Sequence, residues 1–134
     1  MKKLIVYSTL ALLLMVFGVE INTAAAEPPL NLVGVWSGTA KIVTDTTTPD
    51  ASAMTLEITT QAGVRFFGTM QFGDDTPFNV NGVVDKKSIR ITGSTSIFEG
   101  NIFGVKAKKI HGTGSRLEKD LIPSATVIFN LTKE

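Results

Sequence analysis

The chain has 134 residues, with 13 Lys and Arg against 12 Asp and Glu, one His and no Cys. The lack of Cys excludes disulfides, thiolate metal sites and a Cys nucleophile, and a single His excludes an all-His zinc site. A near-neutral balance of scattered charges points away from nucleic acid and from anionic membrane surfaces as partners.

Lys2 and Lys3 open the chain as a basic cluster. Leu4–Val19 follows as an apolar run broken only by Ser8, Thr9 and Gly18, and Ala24-Ala25-Ala26 then precedes Glu27-Pro28-Pro29. This is the layout of a secretory signal peptide cleaved after Ala26. As a membrane anchor the run falls short of the roughly 20 residues that a span needs. Glu20 and Asn22 also follow it directly, and no Cys is present to carry a lipid. The expected destination is the bacterial periplasm or the outside. Residues 27–134 then form one domain, with 11 charges of each sign once Lys2, Lys3 and Glu20 are set aside. It is long enough to bury a core, and without disulfides it must be held by packing alone.

From Leu32 onward the residues alternate with the period of half-buried strands. Leu32, Gly34, Trp36, Gly38, Ala40 and Ile42 share one face of a first strand. Met54, Leu56 and Ile58 share a face of a second. After a turn at Gln61-Ala62-Gly63, a third strand places Val64, Phe66, Gly68, Met70 and Phe72 together. Gly73-Asp74-Asp75-Thr76 is turn chemistry. Phe78, Val80, Gly82 and Val84 make a fourth strand, and Ile89, Ile91 and Gly93 a fifth after Asp85-Lys86-Lys87-Ser88. Phe98, Gly100 and Ile102 mark a sixth. Lys108–Arg116 is a seventh whose inner face is ambiguous. Ala125, Val127, Phe129 and Leu131 mark an eighth, and Arg116–Leu121 has room for one short turn of helix between these two.

Eight short strands joined mostly by tight turns predict an all-β fold, a single eight-stranded antiparallel up-and-down barrel over residues 27–134. An apolar residue, any residue, then Gly recurs at Trp36-Ser37-Gly38, Phe66-Phe67-Gly68, Val80-Asn81-Gly82, Ile91-Thr92-Gly93, Phe98-Glu99-Gly100 and Ile110-His111-Gly112. These inward glycines either leave room for a ligand or let strands coil at barrel corners, and corners are the simpler reading. A membrane barrel would be apolar outside. Here the opposite face holds Lys41, Glu57, Arg65, Gln71, Asn79, Arg90 and Glu99, so the apolar face is the inside.

Leu32-Val33-Gly34-Val35-Trp36 resembles the Gly-x-Trp opening of the calycin barrels, among them the lipocalins, fatty-acid-binding proteins and avidins. The resemblance in pattern covers about Asn31–Glu134. It implies that Trp36 plugs one end of the barrel from the first strand, with Gly34 packed closely before it. Lipocalins often lay an Arg over this Trp from a late strand, and only Arg116 fits that role. The chain lacks a Thr-Asp-x-x-Tyr motif, any Tyr after residue 26 and the polar ring with which avidins hold biotin. The resemblance therefore bears on fold and leaves the ligand open.

Catalysis has little support, because an enzyme needs a nucleophile or a tuned acid–base pair. His111 is the only His and lies between Lys109 and Thr113 on an outward face. Asp74-Asp75 are adjacent and belong to a turn, so no metal and no cofactor is expected. The inner face is the better candidate. It collects Trp36, Met54, Leu56, Phe66, Met70, Phe72, Phe78, Val80, Ile91, Phe98, Ile102 and Phe129. Trp36, Phe66, Met70, Phe72, Phe78, Phe98 and Phe129 would line a pocket for a small apolar, uncharged molecule, with the Thr44–Ser52 loop as its lid. Alternatively they fill the barrel. A third reading uses the outer wall, where Phe67, Val83, Ile97, Phe103 and Ile128 face solvent. Phe67 and Val83, on consecutive strands, could make a surface for a protein partner or for self-association. The expectation is an exported, non-enzymatic barrel that binds a small apolar ligand, with an interaction protein using its outer face as the alternative.

Overall fold

The computed structural model describes residues 27–44, 47–104, 106–116 and 125–134. The expected signal peptide and the Leu117–Leu121 segment lie outside the described residues. Eight strands run in chain order: β1 Gly34–Thr44, β2 Thr47–Ala62, β3 Arg65–Phe72, β4 Phe78–Asp85, β5 Ser88–Gly93, β6 Ser96–Phe103, β7 Lys109–Arg116 and β8 Ala125–Lys133. Each pairs antiparallel with its neighbours, and β1 closes on β8 through Trp36↔Lys133 to Val43↔Thr126. Along β8 burial alternates without a break, with Ala125, Val127, Phe129 and Leu131 inside. The outer wall carries exposed Lys41, Glu57, Arg65, Arg90 and Glu99, a composition opposite to a lipid-facing wall.

Two local expectations are corrected, and the inner face left open on the seventh strand is assigned. The Thr44–Ser52 lid is instead an extension of the β1–β2 hairpin, paired from Ala40↔Ser52 to Thr44↔Thr47. Between Ile42↔Asp50 and Thr44↔Thr47, β2 advances three residues while β1 advances two. Pro49 lies within this bulge, one of the few places where a strand accepts a residue without an N–H. Val64 is exposed in the β2–β3 turn rather than inward on β3. Strand β7 turns Ile110, Gly112 and Gly114 inward, which resolves its ambiguous face.

A second bulge re-aims a side chain. The β2–β3 register shifts between Ile58↔Gly68 and Thr60↔Phe67. Thr59 and Thr60 are therefore both exposed, and Gln61 lies opposite inward Phe66 instead of on the outer wall. Gln61 Nε2 donates to the Leu30 carbonyl at 2.7 Å, and its Oε1 accepts from the Leu32 N–H at 2.8 Å. This ties the segment before β1 across one end of the barrel. Leu32 is fully buried there, and its carbonyl accepts from Trp36 Nε1 at 2.8 Å. Trp36 thus plugs that end. The cation over its ring is Lys133 from β8, with Nζ 5.5 Å from the ring centroid, and not Arg116. Gly34 has φ +135°, a conformation open to Gly, and a Cβ there would stand 3.0 Å from Lys133 Cε.

The middle of the barrel is filled by aromatic rings set against glycines. Phe66↔Gly82, Phe98↔Gly114 and Phe129↔Gly112 are direct cross-strand pairs. In each pair the ring enters the space that a glycine Cβ would take. Gly38 and Gly68 instead meet the backbone of Asn130 and Glu57 on the neighbouring strand. The missing side chains therefore serve packing and strand coiling, and the rings occupy the room they leave.

Candidate functional site

The seven inner-face candidates do not share one environment. Trp36 belongs to the plugged end. Phe66, Met70, Phe98 and Phe129 are sealed in the middle at 0% exposure. Phe72 and Phe78 lie toward the opposite end, the mouth, where Phe72 is almost sealed and Phe78 is half-buried. Four of the rings form a continuous series. Phe78 and Phe72 stack with centroids 6.2 Å apart and planes 19° apart. Phe72 meets Phe98 at 6.0 Å, and Phe98 meets Phe129 edge-on at 5.9 Å. Spacings of this kind contribute beyond area burial alone.

Two polar residues join the mouth. Ser96 and Arg116 are cross-strand partners on β6 and β7 and share the inward face. Ser96 is 6% exposed, and its hydroxyl has no hydrogen-bond partner among the described residues. A Cβ built on Gly93 would stand 2.6 Å from Ser96 Oγ and 3.0 Å from Phe78 Cε2, which sets the hydroxyl beside the Phe78 ring. Arg116 reaches from β7 over the end of β3, with its guanidinium 5.8 Å from the Phe72 centroid. There it meets Asp75 in the β3–β4 turn, Nη1 to Oδ2 at 3.5 Å. Sequence reasoning missed Ser96 as a site residue. Its signal was its place two residues before Phe98 on the same face. Arg116 was harder to place, because Gly112 and Gly114 give β7 no side chain to mark its inner face.

The outer wall carries a separate feature. A groove of about 730 Å³ runs over β4–β7, lined among others by Val83, Asp85, Ser88, Arg90, Glu99, Asn101, His111 and Thr113. Arg90 Nε donates to Glu99 Oε1 at 2.8 Å within it. His111 is exposed and its Nδ1 bonds Asn130 Oδ1. Phe67 faces Asn81 and Val83 faces Arg65, so Phe67 and Val83 are diagonal neighbours on the outer wall. Their exposures are 55% and 45%. Among the described residues no group of three or more His, Asp or Glu could hold a metal ion. No helix among them is long and apolar enough to cross a membrane.

No family model and no curated protein matches the sequence. Among solved structures, the chain is similar to EF1p2_mFAP2b bound to DFHBI. The two are 12% identical, with 77% of this chain and 94% of that one covered and a TM-score of 0.54. It is also similar to a protein of unknown function of the DUF3598 family from Nostoc punctiforme PCC 73102, with 13% identity and a TM-score of 0.44. That match covers 86% of this chain and about half, 53%, of the other. At such identities the first likeness supports the fold, a closed eight-stranded antiparallel barrel.

Proposed function

We propose that the protein is an exported, non-enzymatic binding module that takes a small, largely apolar molecule at the aromatic mouth of its barrel. The carrying observation is the gradient of burial along the inner face. Trp36 and the strap of Leu30–Leu32 close one end, rings set on glycines close the middle, and Phe78 at the mouth alone among the seven candidates stays partly open. A barrel of similar architecture has been solved bound to DFHBI, so the architecture admits a small molecule. An apolar wall with few convergent polar groups is the usual make-up of such a site. Native mass spectrometry on the protein, gently purified from the exported fraction of its producing cells, tests this. The expected result is a reproducible extra mass that leaves on denaturation. A bare monomer overturns the reading.

A second reading places function on the outer wall. It is favoured by the ring-on-glycine filling of the interior and by the exposed Phe67–Val83 pair at the edge of the β4–β7 groove. A bare dimer in the same measurement supports it.

A further inference from the structure

The polar groups of the mouth say more about the ligand than its apolar walls do. Ser96 holds a hydroxyl that is more than nine-tenths buried and unpartnered among the described residues. A buried hydroxyl without a partner is costly, and the cost is recovered when an acceptor arrives. Beside it, as its direct strand partner, is Arg116, the one cation on the inward face at this end among the described residues. Directly opposed inward residues bring their Cβ atoms to about 5 Å, so one small group can meet both side chains. Arg116 is held there loosely. Among the described residues its one carboxylate contact is a 3.5 Å approach to Asp75, whose side chain is 63% exposed. An ion pair that open to solvent contributes little, and Asp75 can turn to water.

Resting on the binding role proposed above, we propose that the mouth is a site for an aromatic carboxylate. The flat body of the ligand would lie against Phe78, the half-open ring of the mouth. Its carboxylate would accept from the Ser96 hydroxyl and from Arg116, displacing Asp75. The apolar surroundings strengthen a charge-assisted hydrogen bond of this kind, and the guanidinium fork matches a carboxylate in shape. This amends the expectation of an uncharged ligand. At this place the inner face offers an anion both a cation and a hydroxyl.

Titration calorimetry with 2-naphthoate and its neutral isostere 2-naphthamide, on the purified protein, tests the assignment. The expected result is about tenfold or more preference for the naphthoate, the scale of one charge-assisted hydrogen bond. Arg116→Gln removes that preference and leaves naphthamide binding nearly unchanged. Asp75→Asn, which removes the competitor and leaves Arg116 in place, tightens naphthoate several-fold. Ser96→Ala raises the melting temperature of the ligand-free protein while weakening naphthoate, whereas a merely structural serine would lower that temperature. Equal binding of the two probes overturns the anion site and leaves the apolar-ligand reading standing. Binding of neither overturns both. Unchanged naphthoate affinity in Asp75→Asn and Arg116→Gln overturns the role given to Arg116.

Discussion

The Phe66 ring stands in the space that a side chain on Gly82 would need. Its Cζ and the Arg90 carbonyl both lie where the Cβ would be, and the two residues are direct partners across β3 and β4. Large-to-small complementarity of this kind fixes register, because a slip by one residue would bring the ring against a side chain. Gly82→Ala should therefore destabilise by about 3 kcal/mol, an overpacking cost in a filled core. Urea denaturation measures it. Adding Phe66→Leu should recover part of the loss, since the shorter side chain vacates the Cζ position while the Arg90 carbonyl stays. A loss below about 0.5 kcal/mol in Gly82→Ala would show that the ring and glycine are not interlocked.

The plugged end makes a separate prediction. Trp36 is fully buried, donates to the Leu32 carbonyl and lies under Lys133. Trp36→Ala should cost about 3–5 kcal/mol, the range for removing a large buried aromatic. Trp36→Phe keeps most of the apolar area but leaves the Leu32 carbonyl without its donor, at about 1–2 kcal/mol. If the two variants lose equally, the hydrogen bond rather than the ring holds the strap of Leu30–Leu32.

Most of the barrel was legible in the sequence, because strands with one apolar face carry their side assignment in a period of two. Phe98, Gly100 and Ile102, for example, follow that period without interruption. What period two cannot show is an inserted residue. The bulge at Thr59 moved Gln61 to the inner side, and with it the tie to Leu30 and Leu32. The hairpin extension at Thr47–Ala53 was equally hidden, since Pro49 and Asp50 read as loop residues until a bulge accommodates them. At the mouth the obstacle was different. Ser96 and Arg116 are polar residues at inward positions, and polarity alone assigns such residues to solvent. The cation over Trp36 was placed on the wrong late residue. Lys133 is its Cα partner at the closure of β1 on β8, a pairing that only the closed register reveals.

Export has a direct readout. The full chain produced in a bacterial host should yield a protein that begins at Glu27, seen by intact mass and N-terminal sequencing of the periplasmic or secreted fraction. Replacing Ala26 with a bulky charged residue, Ala26→Arg, should block processing, since the cleavage enzyme reads small side chains at that position. A cytosolic product that still carries Met1 would remove export from the proposed role.

The outer wall separates the two functional readings. Phe67 and Val83 are exposed diagonal neighbours, so their replacement removes little buried area. Phe67→Ser with Val83→Ser should change monomer stability by no more than about 0.5 kcal/mol. If this face associates with a second copy, the same double variant should shift a dimer to monomer in concentration-dependent sedimentation. If the two are merely scattered apolar surface residues, which are ordinary, the oligomeric state does not move. The mouth and the wall are thus tested by variants that do not touch each other's residues. Arg116→Gln and Ser96→Ala should leave the oligomeric state unchanged, and Phe67→Ser with Val83→Ser should leave 2-naphthoate binding unchanged. A variant at one place that moved the readout of the other would mean that the two faces act as one site.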